Sequence, residues 1–143
     1  MLMLDMQKLQ ADLASLKPWL SHLLATEMID AYISKHRPIT ATYKFHSFSQ
    51  ADRFLLSIKI TFLDVKILNL WIPLSMRNQR IGSAILTRLQ TYCADWGIPY
   101  MKIEPRPGSE GFWSKVGFVP DESGNNLCWQ KLVLRNDSST GDS

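Results

Sequence analysis

The sequence predicts a mixed α/β domain, with a mainly antiparallel central sheet flanked by helices and entered through a helical N-terminal third. Three observations carry that expectation. Apolar residues keep a helical spacing as far as His36, alternate from Ile39 as half-buried strands require, and from Leu68 follow the order strand, polar turn, amphipathic helix, strand. A chain of 143 residues suits one domain with its own core, expected over residues 1–134 ahead of a polar tail at 135–143 that reads as disordered.

The elements follow in order. Leu2, Leu4, Leu9, Leu13 and Leu16 are spaced for a first helix. Pro18 suits the opening turn of a second, whose stripe runs through Trp19, Leu20, Leu23, Leu24, Met28, Ile29 and Tyr32. Ala41, Tyr43 and Phe45 then share one strand face. Phe54, Leu56, Ile58, Ile60 and Phe62 alternate in the next strand, and Val65 to Ile72 makes a third, so the middle of the chain is an antiparallel meander. Residues 81–96 form a helix with Ile81, Ile85, Leu89, Cys93 and Trp96 inward, stopped at Gly97. Tyr100 to Glu104 is a short strand, Ser109 to Val116 a single short helix, and Phe118-Val119 and Leu127 to Leu134 close with strands.

Composition narrows the function. Hydrophobic residues make up 45% and charged residues 20%, ordinary values for a globular domain, and no apolar run approaches the roughly 20 residues of a membrane span. The N-terminus lacks the basic and apolar regions of a signal peptide. A net charge of +3 on scattered basic residues argues against nucleic acid as a partner. Cys93 and Cys128 have neither metal-site nor disulfide spacing and read as small buried hydrophobes, which points to a cytoplasmic setting.

The most informative stretch is Leu68 to Leu89. A strand feeding a helix N-terminus leaves backbone N–H groups without partners, and with the helix dipole these suit a phosphate. Gly82 lets a ligand approach the backbone, and Arg77 and Arg80 bring positive charge. Two segments here together resemble the GNAT superfamily of acyl-CoA-dependent N-acetyltransferases. The family's phosphate-loop pattern, Arg/Gln-x-x-Gly-x-Gly/Ala, fits in two registers. Arg77-Asn78-Gln79-Arg80-Ile81-Gly82 matches except that Arg80 stands for the first Gly, and Gln79-Arg80-Ile81-Gly82-Ser83-Ala84 matches throughout. The first places the helix start where the family has it. Gly111-Phe112-Trp113-Ser114-Lys115-Val116-Gly117-Phe118 is similar to the family's late-helix pattern of an aromatic pair followed by Gly-Phe.

That resemblance implies acetyl-CoA as acyl donor. It implies a pyrophosphate held at Arg77, Gln79, Arg80, Ile81, Gly82, Ser83 and Ala84, a pantetheine arm paired with Ile72 and Leu74 like an added strand, and Trp113 bordering the thioester. It also implies backbone donors to the carbonyl on the segment Leu70 to Leu74, where Pro73 favours a bulge or a strand end. Two departures stand out. Many members carry a Tyr acid where this chain has Trp113, whose indole N–H is no acid, and an Asn where it has Arg106.

Acetylating an amine requires removing its proton, usually to a carboxylate. Glu104, ending a strand opposite the proposed cofactor strand, is the first candidate base, and His46 the second; ordinary surface and packing roles are the plainer reading of each. Arg88 reads as a solvated helix residue, and Phe112 and Trp113 as core. No residue pattern suggests a metal. The sequence therefore predicts an N-acetyltransferase acting on a primary amine of a small molecule, protein or peptide, with the helical third available for a homodimer. The alternative is a non-catalytic acyl-CoA-binding or interaction module of the same fold.

Overall fold

A computed structural model describes residues 5–36, 39–47, 53–77, 79–105, 107–122, 124 and 126–130. The first helix, α1, spans Met6–Leu24 and begins at Asp5, whose side chain accepts from the Lys8 N–H. Leu9, Leu13, Leu16, Leu20 and Leu24 form its buried stripe, each contributing roughly 1.5–3 kcal/mol. Pro18 lies inside this helix rather than opening a second one. It is exposed, so the Ala14 carbonyl that it leaves without an i→i+4 partner is on the water side.

The helix ends at Ala25, left-handed at φ 51°, with the Thr26 N–H closing on the Ser21 carbonyl. Here the structure corrects the sequence reading, because Met28–His36 is a strand, β1. It pairs antiparallel with β2, Ile39–Ser47, from Met28↔Ser47 to His36↔Ile39. Backbone pairing and the strand preference of Ile29, Tyr32 and Ile33 outweigh a helical apolar spacing that is compatible with either period.

The meander continues as expected with β3, Leu55–Ile60, and β4, Asp64–Trp71, followed by a 3-10 turn at Leu74–Met76. Helix α2 spans Ile81–Asp95 and strand β5 Tyr100–Ile103. Helix α3 spans Glu110–Lys115, and β6, Val119–Pro120, and β7, Leu127–Gln130, complete the described chain. The seven strands form one sheet in the order β1-β2-β3-β4-β5-β7-β6, in which only β4 and β5 run parallel. The expected tail at 135–143, the last residues of the closing strand, Arg106 and Asn78 lie outside the described residues.

Register separates the two sheet faces. Directly paired residues share a face, so Ala41, Tyr43, Phe45, Leu56, Ile58, Ile60, Val65, Ile67, Met101 and Ile103 all lie on one side, and all are buried. The three helices pack there. Lys17 of α1 pairs with Asp30 at 3.2 Å; α2 joins α1 through Trp96 Nε1 donating to Asp12 (2.8 Å); Gln90 of α2 donates to the Val116 carbonyl just after α3 (3.0 Å). No described helix covers the opposite face.

Candidate active site

Strands β4 and β5 pair from Asp64↔Tyr100 to Ile67↔Ile103, and the pairing stops there. β4 runs on to Trp71 against β3, so Leu68–Trp71 continues past the point where β5 stops pairing at Ile103. The divergence has a local cause. Ser57 pairs with Asn69 while Ile58 pairs with Ile67, which leaves Leu68 as the extra residue of a β-bulge. The bulge therefore falls at Leu68, and the strand ends two residues before Pro73. On the other side Pro105 keeps Glu104 extended while leading the chain away from β4.

The loop from β4 leads to the N-terminus of α2 at one end of this slot. Arg80 takes the N-cap position in the left-handed region, φ 61° and ψ 18°, with no side-chain cap. Glycine adopts that conformation without strain, and arginine bears a cost of roughly 1–2 kcal/mol. The backbone thus places Arg80 where the first register of the phosphate-loop pattern has its first Gly. The Ala84 N–H reaches the Arg80 carbonyl at 3.0 Å, and the N–H groups of Ile81, Gly82 and Ser83 precede the first intrahelical bond.

Gly82 has a packing role that sequence does not reveal. A Cβ there would sit 3.0 Å from Phe112 Cζ and 3.1 Å from Cε1, with Ile72 Cγ1 at 3.9 Å. The group that needs the missing side chain is thus the Phe112 ring of α3. Trp113 beside it is buried, edge-on to Phe112 (5.0 Å) and to Phe118 (5.3 Å). It supports the aromatic cluster, while Phe112 is the ring that touches the loop helix.

Arg77 is engaged with its own strand end. Its Nε donates to the Ile72 carbonyl (3.0 Å), and its guanidinium lies 4.4 Å from the Trp71 ring centroid. Leu74 does not extend β4. It opens the 3-10 turn, closed by Met76 N–H on Pro73 O, and is exposed. The expectation that Leu74 pairs like a strand with a pantetheine arm is therefore corrected, since a 3-10 turn presents no extended edge, and the extended edge is Leu68–Trp71.

A groove of about 630 Å³ runs from the N-terminus of α2 along its outer face, lined by Trp19, Arg80, Ser83, Ala84, Thr87, Arg88, Thr91 and Tyr92. Arg88 is half-buried on the groove wall rather than a freely solvated helix residue. Its guanidinium stacks 4.2 Å from the Trp19 centroid, and Nη1 donates to the Tyr92 hydroxyl at 3.4 Å. Residues 80, 83/84, 87/88 and 91 recur at helical spacing opposite the apolar stripe, a signal that could have exposed this wall; Trp19 on α1 could not have been assigned to it without the fold. Gln79 is exposed beside Arg80.

The two candidate bases are separated. Glu104 is exposed at the mouth of the slot, directly after β5. His46 lies on β2, three strand spacings or roughly 14 Å from β5, with Nδ1 3.1 Å from the Ser47 carbonyl oxygen. Arg80, Ser83 and Ala84 share the groove, Gly82 packs on Phe112, Glu104 follows the end of β5, and His46 lies on a strand three positions away in the sheet. Among the described residues no His, Cys, Asp and Glu cluster could hold a metal.

The fold built from these elements resembles solved structures. The Tetrahymena GCN5 crystal structure superposes with a TM-score of 0.52 at 7% identity, over 62% of this chain and 68% of that one. The chain has the GNAT fold. A PaiA N-acetyltransferase from Thermoplasma acidophilum, solved with coenzyme A, matches at 0.50 and 16% identity over 64% of this chain, which spans 61% of that protein. An Agrobacterium tumefaciens protein named as an acetyltransferase matches at 0.50 and 18% identity, over 85% and 92% of the two chains. No family model matches the sequence, and no curated protein does. The expected mixed α/β class, with a mostly antiparallel sheet and an N-terminal helix, stands.

Proposed function

We propose that the protein transfers an acetyl group from acetyl-CoA to a primary amine by direct transfer. The observation that supports this reading is the slot itself, where β4 and β5 part after Ile67 and Ile103 beside the N–H groups that open α2. The residues present fit the donor. A diphosphate needs oriented N–H groups and a cation, and Ile81, Gly82, Ser83 and Arg80 supply them. The groove beyond, with Arg88 and Trp19 on its wall, offers a cation and a ring to the nucleotide end. Acetyl-CoA supplies the activated acyl group.

This chain's own groups do the rest. Backbone N–H groups of β4 beyond Ile67, where β5 no longer pairs with it, polarise the thioester carbonyl. Glu104, extended by Pro105 and exposed at the slot mouth, accepts the proton of the acceptor ammonium. His46 is too remote to share that proton. Trp113 carries no acidic proton, and the same buried ring favours a second reading, acyl-CoA binding without transfer.

Calorimetry with acetyl-CoA, followed by thiol release across a panel of amines, separates these readings. Binding with turnover supports transfer; binding without it supports the second reading; no binding removes both. Glu104→Gln should retain acetyl-CoA affinity and lose about 10²–10⁴-fold in turnover, with full activity removing Glu104 from the role of base.

A further inference from the structure

Register collects lysines that the sequence scatters. Thr42 pairs with Lys59, Lys59 with Lys66, Lys66 with Lys102 and Lys102 with Cys128, so Lys59, Lys66 and Lys102 stand side by side across β3, β4 and β5. They lie on the face that no described helix covers. Strand spacing sets the row at about 10 Å from Lys59 to Lys102. Lys44 belongs to the same face one row over, opposite Ser57, and Lys44, Lys59 and Lys66 are exposed.

Like charges directly opposite one another across strands oppose folding. Asp64 answers Lys102 at 3.8 Å, while Lys44, Lys59 and Lys66 have no carboxylate partner among the described residues. Strand alternation from Lys102 carries Glu104, held extended by Pro105, to this same face. The helices occupy the other side, so an acceptor can reach the slot from this one.

We propose that the open face of the sheet docks the acceptor as an acidic polypeptide segment, its carboxylates held by Lys59, Lys66 and Lys102 while its amine enters the slot at Glu104. Lysine ammoniums are flexible point charges that adapt to carboxylates along an extended chain. The two ends of the lysine row are aliphatic, Ile33 and Val119, both 60% exposed, and these match apolar peptide side chains rather than a phosphate backbone.

The acceptor role rests on the acetyl-transfer reading; the docking surface does not. The test uses the full chain and a short fluorescent peptide of mostly glutamate with a free N-terminal amine. Anisotropy should show binding that weakens as salt rises. Lys59→Glu/Lys66→Glu should weaken it by at least about tenfold, and Lys59→Gln/Lys66→Gln by less, with unchanged acetyl-CoA affinity and a melting temperature no lower than that of wild type. The glutamate variant should also raise KM for that peptide as acceptor while kcat holds. Equal peptide affinity in wild type and both variants would overturn the docking surface, as would tighter binding of a single-stranded oligonucleotide to the same lysines. Equal acetylation of acidic and basic peptides overturns the acceptor assignment. Failure of wild type to bind acetyl-CoA overturns the transfer reading and leaves peptide docking to be judged on the anisotropy.

Discussion

Replacing Arg80 with glycine should raise the stability of the fold and lower its affinity for acetyl-CoA at the same time. Arg80 holds φ 61° at the N-cap of α2, a conformation costing a residue with a side chain roughly 1–2 kcal/mol. Glycine relieves that cost but adds freedom to the unfolded chain worth about 0.4–1 kcal/mol, so the net gain is roughly 0.5–1 kcal/mol. For a chain of this length that is a melting rise of about 2–4 °C. The same change removes the cation that stands at the opening of the groove. One charge-assisted contact from an exposed arginine to a phosphate is worth about 1.4 kcal/mol, or about tenfold in Kd. Arg80→Ala is the control: it loses the charge and keeps the strained backbone, so affinity should fall equally without a gain in melting temperature. Thermal denaturation and calorimetry on the three proteins decide it. An Arg80→Gly protein that melts below wild type refutes the backbone argument, and one that binds acetyl-CoA as tightly as wild type refutes the placement of the phosphates.

Two further outcomes follow from packing and burial. Gly82→Val should destabilise by about 1–3 kcal/mol in urea titration, because its Cβ would meet the Phe112 ring at 3.0 Å; in a Phe112→Ala background most of that loss should vanish, and an undiminished loss would place the clash elsewhere. Tyr43 is pushed up to about 12, first by burial and then by the hydrogen bond that its hydroxyl donates to Asp30 (3.1 Å). The folded state therefore keeps this proton while the unfolded chain releases it near 10, so the associated stability is intact below pH 10 and is lost as pH rises toward 12. Ultraviolet titration of the phenolate band should show one tyrosine ionising late in wild type and somewhat earlier in Asp30→Asn; identical curves would remove Asp30 from the cause and leave burial alone.

Much of the architecture is legible in the order of residues. Alternation from Phe54 to Ile60 and the helical stripe of 81–93 each bury one face, so periodicity carries their identity directly, whereas Phe62, expected on the same face, lies past the strand end and is exposed. Gly111 to Phe118 and the Arg77 to Ala84 turn carry the resemblance that the solved structures then bear out as a fold. What escapes is where an apolar run with no Gly or Pro changes period. Met28 to Tyr32 continues the spacing of α1 because Ala25, an ordinary helix former, turns the chain in a left-handed conformation that no residue type announces.

By itself the sequence determined the order of strands and helices from Ile39 onward, the Arg- and Gly-bearing turn before α2, and the absence of a phenol at Trp113. Tertiary structure decided which groups share a place. Pairing put Lys59, Lys66 and Lys102 in one row, a bulge at Leu68 opened the slot, packing gave Gly82 to Phe112, and α1 brought Trp19 to Arg88. The physical reason is common to all four: local periodicity fixes which face a side chain takes, but only register and packing between distant segments fix its neighbours.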